Sequence, residues 1–306
     1  MAGFRLATYQ SANGPRAAVI IGEMVFDAAE LTNDAGYASM LGILEDWPRA
    51  GDLIATLSAQ KSAARAWPLA DTHLRAPILR PSAIYCAGAN YRDHAIEMAQ
   101  RMNRPLDKDP RASGGRPWHF LKTPRSIADP GATVTATHYT AKLDWEVELA
   151  AVIGRPAKGV SAQSALDYVA GYTIANDISA RDKARRNEAE IASPFHFDWT
   201  GQKCFDGACP LGPWIVPASD VADPQNLSLK LWVNDVIKQD SNTNEMIFSL
   251  AEQIAQLSIG MTLYPGDLIL TGTPAGVGAG RGEFLRAGDI VKLEIEGIGT
   301  LTNPIA

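Results

Sequence analysis

The chain has 306 residues, 46% hydrophobic and 20% charged, enough to bury one large core or two modest ones. That composition excludes a disordered, fibrous or coiled-coil protein, and no apolar run approaches the ~20 residues of a membrane span. A net charge of −6 argues against nucleic acid as the main partner, because neutralising phosphates takes a clustered basic surface.

Residues 1–10 hold one arginine and no long apolar stretch, so no secretory signal is expected. Residues 1–77 read as a small N-terminal α+β cap. Within it, apolar residues at 17–21 and 24–26 around Gly22-Glu23 predict a hairpin. Segments 38–44 and 52–66 predict helices, the second with Leu53, Ile54 and Leu57 on one face. Pro77 and Pro81 punctuate the chain, and residues 78–306 read as the catalytic domain. There, 83–87 predicts a buried strand, and Asn90 is placed to cap a helix over 91–102. Residues 103–118, rich in proline, glycine and charge, read as a lid insertion. Strands are predicted at 133–135, 143–153, 169–174, 227–233, 268–270 and 290–295, with helices at 165–168 and 246–257. Strands and helices do not alternate along the chain, which argues against a doubly wound parallel sheet. The expected class is α+β, mainly β: a twisted, largely antiparallel roll or sandwich with a few helices.

Several segments offer chemistry. Along 143–149, strand alternation puts Leu143, Trp145, Val147 and Leu149 on one face and Asp144, Glu146 and Glu148 on the other. Carboxylates two apart on a strand lie ~6–7 Å from each other. They can converge on a hard cation such as Mg²⁺, Mn²⁺ or Ca²⁺, which prefers oxygen ligands; the plain alternative is a solvated acidic face. Asp177 ends another predicted strand and can add a third carboxylate, while Arg181 can clamp a substrate carboxylate. Otherwise these two form an Asx turn and a surface ion pair.

His94 and Glu97 share one helical face, either as a base for activating water or as a surface pair of little weight. Lys203 can stabilise developing negative charge or lie in solvent. The three cysteines, Cys86, Cys204 and Cys209, make neither a disulfide framework nor a CxxC zinc pattern, which points to a reducing, cytoplasmic setting. Cys204 and Cys209 read as packed small hydrophobes. The glycine-rich run 272–280 lacks the lysine of a phosphate loop and precedes strand signals. It reads as a strand-end loop whose backbone approaches something closely.

Taken in order, seven segments resemble the fumarylacetoacetate hydrolase family over residues 80–304. They are Gly88-Ala89-Asn90-Tyr91-Arg92-Asp93-His94-Ala95, Phe120-Leu121-Lys122, Asp144-Trp145-Glu146-Val147-Glu148-Leu149, Asn176-Asp177 through Arg181-Asp182, Lys203 with Phe205-Asp206, Pro210-Leu211-Gly212-Pro213-Trp214, and Thr271-Gly272-Thr273-Pro274-Ala275-Gly276-Val277-Gly278. The resemblance implies a mixed β-sandwich roll, a homodimer, and one divalent cation, Mg²⁺ or Mn²⁺ with Ca²⁺ as a further option. It places metal ligands on Glu146, Glu148 and Asp177, catalytic groups on His94, Glu97 and Lys203, and substrate contacts on Tyr91, Arg181 and Thr273. The implied reaction is hydrolysis of a C–C bond in a 2,4-dioxo acid, giving a 2-oxo acid and a carboxylic acid. Decarboxylation, tautomerisation or isomerisation of a 2-oxo acid, or dehydration of a 3-deoxy-2-oxo sugar acid, are alternatives from the same metal-bound enolate. Neither a nucleic acid nor a membrane is an expected partner. Two positions depart from the family pattern: Ala184 stands where members often carry glutamine, and Cys204 where many carry serine.

Overall fold

The Gly22-Glu23 turn sets the start of the fold. Gly14–Ile21 pairs antiparallel with Met24–Asp27, Ile21 facing Met24, as the alternation predicts. The computed structural model describes residues 3–60, 64–103, 105–106 and 110–306. A strand not foreseen, Phe4–Ser11, pairs with Gly14–Ile21 along its whole length and meets Cys209–Pro217 through Leu6 and Ile215. One large sheet therefore runs Ala66–Pro68, Met24–Asp27, Gly14–Ile21, Phe4–Ser11, Cys209–Pro217, Val169–Asn176, Val147–Ile153, Leu268–Leu270, Ile84–Ala87, His119–Lys122. Neighbours are antiparallel except Leu268–Leu270 against Ile84–Ala87, which are parallel. A second sheet orders Val236–Asn242, Ser228–Val233, Ile290–Ile295, Gly299–Pro304. The result is α+β and mostly sheet. Among the described residues, no helix is long and apolar enough to cross a membrane.

The central strand Val147–Ile153 is buried along its whole length, so alternate residues serve two cores. Val147, Leu149, Ala151 and Ile153 pack in one cluster with Leu229, Leu231, Leu293 and Leu301 of the second sheet. Ala150 and Val152 join a cluster with Leu6, Val19, Ile43, Leu44 and Ile54 from the N-terminal region. That region is thus tied to the rest by a continuous sheet and a shared core, each fully buried Leu or Ile contributing about 1.5–3 kcal/mol.

Several element boundaries differ from expectation for local reasons. The helix expected over 52–66 is Trp47–Ser58, with Pro48 in its first turn, where a missing N–H costs nothing. Residues 61–63 lie outside the described residues, and Ala66–Pro68 is drawn into the sheet by Met24–Asp27. The helix expected over 38–44 is Met40–Glu45, capped by the Ser39 side chain. The helix expected over 246–257 is Leu250–Gly260, started by a capping box between Ser249 and Glu252. Residues 165–168 form a single 3₁₀ turn. Residues 133–135 form no strand, only a bridge from Val134 to Ile305.

Asp27 joins the hairpin to the first helix. Its buried carboxylate takes two hydrogen bonds from Arg16 and one from Tyr9, and caps Ala28–Thr32 through the amides of Ala29 and Glu30. Burial opposes its charge, but Arg16 and the other donors outweigh that and hold the carboxyl below its usual range. Asp27→Ala should therefore cost about 2–4 kcal/mol, since it strands a cation and uncaps a helix. Urea denaturation measures this; a loss under about 1 kcal/mol, the worth of an exposed pair, would contradict it.

Candidate metal centre

The acidic segment begins as the short strand Leu143–Asp144, paired with Ser179–Ala180. At Trp145 and Glu146 the backbone leaves the ladder, and its amides are met by side chains instead. Glu146 N–H donates to Asn176 Oδ1 at 3.0 Å and Val147 N–H to Gln239 Oε1 at 3.0 Å. The chain then resumes as Val147–Ile153. Asp177 follows the neighbouring strand, its amide bonded to the Glu146 carbonyl at 2.9 Å. These constraints bring Glu146, Glu148 and Asp177 together, with ligand oxygens within 4.8 Å of one another. All three are buried, as is Asp144, so the acidic face is not solvated.

Cations answer this charge. Lys203 is buried between Glu146 Oε2, at 2.9 Å, and Asp177 Oδ2. Lys122 pairs with Asp177 Oδ1, and Arg181 forks to Glu146 and Asp144. On Glu146, burial resists the charge, but Lys203 and then Arg181 outweigh it and hold the carboxyl at about 2. Burial would lower Lys203, yet Asp177 and Glu146 keep its ammonium charged. Glu148 differs. Burial, Asp177 and Glu146 all push its carboxyl well above the usual range. Among the described residues no lysine, arginine or histidine pairs with it; the Gly272 amide donates to it at 2.8 Å. Four carboxylates therefore face three cations, and the deficit falls on Glu148. This all-oxygen donor set suits a hard divalent ion. Oxygens bound at 2.0–2.1 Å stand at most about 4.2 Å apart, a spread that slight closure reaches.

The glycine-rich loop approaches these carboxylates with its backbone. Gly272 N–H bonds Glu148, Gly276 N–H bonds Glu97, and Gly278 and Ala279 N–H both bond Asp144. Gly276 has φ +98°, and a Cβ there would stand 2.0 Å from the Lys238 carbonyl oxygen, so only glycine fits. Gln239 braces the loop from the second sheet, donating to Thr273 Oγ1 and the Pro274 carbonyl, both at 2.9 Å.

The remaining expected residues fall as follows. His94 Nδ1 lies 3.4 Å from Glu97, on the helix Arg92–Met102. Glu97 is held by Gly276 as well, so this pair is fastened to the metal-side loop and is not a free surface pair. Tyr91 is fully buried, and burial followed by the charge on Glu148 pushes its phenol well up. The Thr273 hydroxyl donates to the Val147 carbonyl at 2.9 Å and accepts from Gln239, so it braces the metal strand. Arg181 spends two donors on protein carboxylates. Asn90 does not cap the helix; Tyr91 occupies that position. The Asn90 amide instead clamps Phe248 and Thr271, because buried carbonyls there need a donor.

In the expected lid insertion, residues 104 and 107–109 lie outside the described residues. Arg111 is tethered to Glu252 and lies 5.1 Å over the Phe248 ring. Burial pushes the Cys209 thiol up to about 12, in keeping with a packed hydrophobe. Three residues escaped the reading of the sequence. Lys122 ends the segment Phe120-Leu121-Lys122, where the sequence signals no role for it, although it shares a strand face with Phe120. Asn90 was given a different one. Gln239, on a strand with no acidic or glycine signature, left no signal.

A mixed sheet that gathers buried carboxylates and cations at the end of its central strands defines a centre for divalent-cation chemistry. The model of the fumarylacetoacetate (FAA) hydrolase C-terminal domain matches residues 83–306, and the chain belongs to that family. Oxaloacetate tautomerase fahd2, mitochondrial, of Xenopus laevis is 41% identical over 234 residues, 76% of this chain and 68% of that protein. Fumarylacetoacetate hydrolase from psychrophilic Exiguobacterium antarcticum superposes at TM-score 0.78 with 31% identity, over 99% of each chain. Maleylpyruvate hydrolase from Sphingobium sp. SYK-6, solved with manganese (II) and pyruvate, superposes at TM-score 0.73 with 28% identity, over 99% of this chain and 98% of that one.

Glu148→Gln tests the centre. Mn²⁺ binding to the native chain should raise its unfolding temperature by mass action, while the variant should stay folded and gain nothing. An equal Mn²⁺-dependent rise in both proteins would remove Glu148 from the ligand set.

Proposed function

We propose that the chain is a divalent-cation-dependent enzyme that hydrolyses a C–C bond in a 2,4-dioxo acid, using Mg²⁺ or Mn²⁺. The observation that carries this is the buried triad Glu146, Glu148 and Asp177, in a patch where, with Asp144, four carboxylates face three cations. A divalent ion held there would supply Lewis-acid stabilisation to the enolate of a 2-oxo acid. The remaining work falls to side chains. Nδ1 of His94 faces Glu97, which leaves Nε2 to take a proton from water. That water adds to the distal carbonyl carbon, and Lys203, kept charged by its carboxylate neighbours, offers N–H groups to the oxyanion. The bond between C3 and the distal carbon then breaks and its electron pair stays on C3. The proton held by His94 returns there, giving a 2-oxo acid and a carboxylic acid.

A second reading is keto–enol tautomerisation of a 2-oxo diacid, with His94 moving a proton at C3 and no water consumed. It is favoured by the 41% identity to the Xenopus oxaloacetate tautomerase.

Product identification by mass spectrometry over a panel of 2,4-dioxo acids, with the ultraviolet absorbance of the oxaloacetate enol followed alongside and Mg²⁺ present, tests both. Hydrolysis predicts equal amounts of 2-oxo acid and carboxylic acid, with His94→Ala slower by about 10²–10⁴-fold. Faster enol–keto exchange of oxaloacetate with no dioxo acid cleaved would overturn hydrolysis and establish the second reading.

A further inference from the structure

A cluster of aromatic rings adjoins the carboxylate centre, and nothing in the chemistry above uses it. Phe120 and Lys122 stand two apart on His119–Lys122 and so share a face; Lys122 reaches Asp177. The Phe120 ring centroid lies 4.9 Å from the Lys203 ammonium that joins Glu146 to Asp177. Trp199 opens the short helix that ends at Lys203, four residues on and on the same face. It stacks on Phe120 at 5.1 Å with 14° between the planes. Trp118 meets the edge of Trp199 at 5.1 Å, and Phe197 lies 4.8 Å from it. The Trp118 ring lies over Gly88, where a Cβ would come within 1.4 Å of it, so the turn leading to Tyr91 gives up a side chain to hold that indole.

These rings stay wet: Trp118 is 47% exposed, Phe197 43% and Trp199 37%. Large aromatic surfaces left in water and joined to a charged centre mark a place that something apolar covers. The surface is continuous with the centre through Phe120, so a molecule held at that centre is placed to cover it. Phe120 and Trp199 already stack on each other, and the exposed remainder of Trp199, Trp118 and Phe197 is hydrocarbon against which a further ring packs.

From this we infer that Phe120 and Trp199, flanked by Trp118 and Phe197, form the subsite for the distal end of the substrate, and that this end is an aryl group. The inference rests on the reading of the centre as a 2,4-dioxo acid site. It adds that the acid carries an aryl ketone and not a methyl ketone.

Binding separates the two claims, because it needs no turnover. With Mn²⁺ present, 2,4-dioxo-4-phenylbutanoate and 2,4-dioxopentanoate are titrated into the native chain, Trp199→Ala and Trp199→Phe. The phenyl ligand should bind the native chain about tenfold more tightly than the methyl ligand. Trp199→Ala should abolish that preference while leaving the methyl ligand within about twofold, and Trp199→Phe should keep most of it. Bound but uncleaved phenyl ligand would refute hydrolysis and leave the aryl subsite standing. An unchanged phenyl-to-methyl ratio in Trp199→Ala would overturn the subsite. If that variant also changed from dimer to monomer in light scattering, the rings would belong to an interface between copies of this chain.

Discussion

Four carboxylates share one buried patch, and their mutual repulsion is the constraint that the surrounding structure answers. Two like charges within 4.8 Å repel by at least about 3 kcal/mol at an effective dielectric near 20, and desolvation adds to this. Backbone N–H groups from the glycine-rich loop meet Asp144 and Glu148, and Lys122, Arg181 and Lys203 meet the rest. Each of these partners comes from a different part of the chain, so the centre forms only when the whole sheet has closed. Such a centre gives little net stability, because the desolvation of each ion offsets most of its pairing. Its value is a fixed, charged geometry.

The same loop couples the centre to the helix carrying His94. Gly276 gives its N–H to Glu97 while Gly272 gives its own to Glu148. Gln239 and Thr273 brace the stretch between them against the metal strand. A shift of that loop would therefore move His94 and Glu148 together. Anchoring Glu97 and Glu148 to one stretch of backbone holds the imidazole and the carboxylate patch in register.

What was legible in the sequence was local. Parity along 143–149 assigned faces correctly, because strand alternation depends on adjacent residues alone. Burial of that acidic face was not legible, since it depends on Lys122 and on the 272–279 loop, both remote in sequence. Asn90 shows the limit from another side: an asparagine before a helix looks the same whether it caps the helix or clamps two loops. The strand Phe4–Ser11 was missed because Arg5, Thr8 and Gln10 blur its alternation, and its pairing with Cys209–Pro217 is a tertiary fact. Thr273 marked the right loop, yet its hydroxyl braces the fold, which a spacing pattern cannot distinguish from ligand binding.

The chemistry turns on whether these carboxylates are gathered to hold one divalent cation. Anomalous diffraction from crystals grown with Mn²⁺ decides the point. A single strong peak should appear, bounded by oxygens of Glu146, Glu148 and Asp177, with the Lys203 ammonium withdrawn from between Glu146 and Asp177. Saturating Mn²⁺ with no peak there, and Lys203 still bridging the two carboxylates, would contradict it.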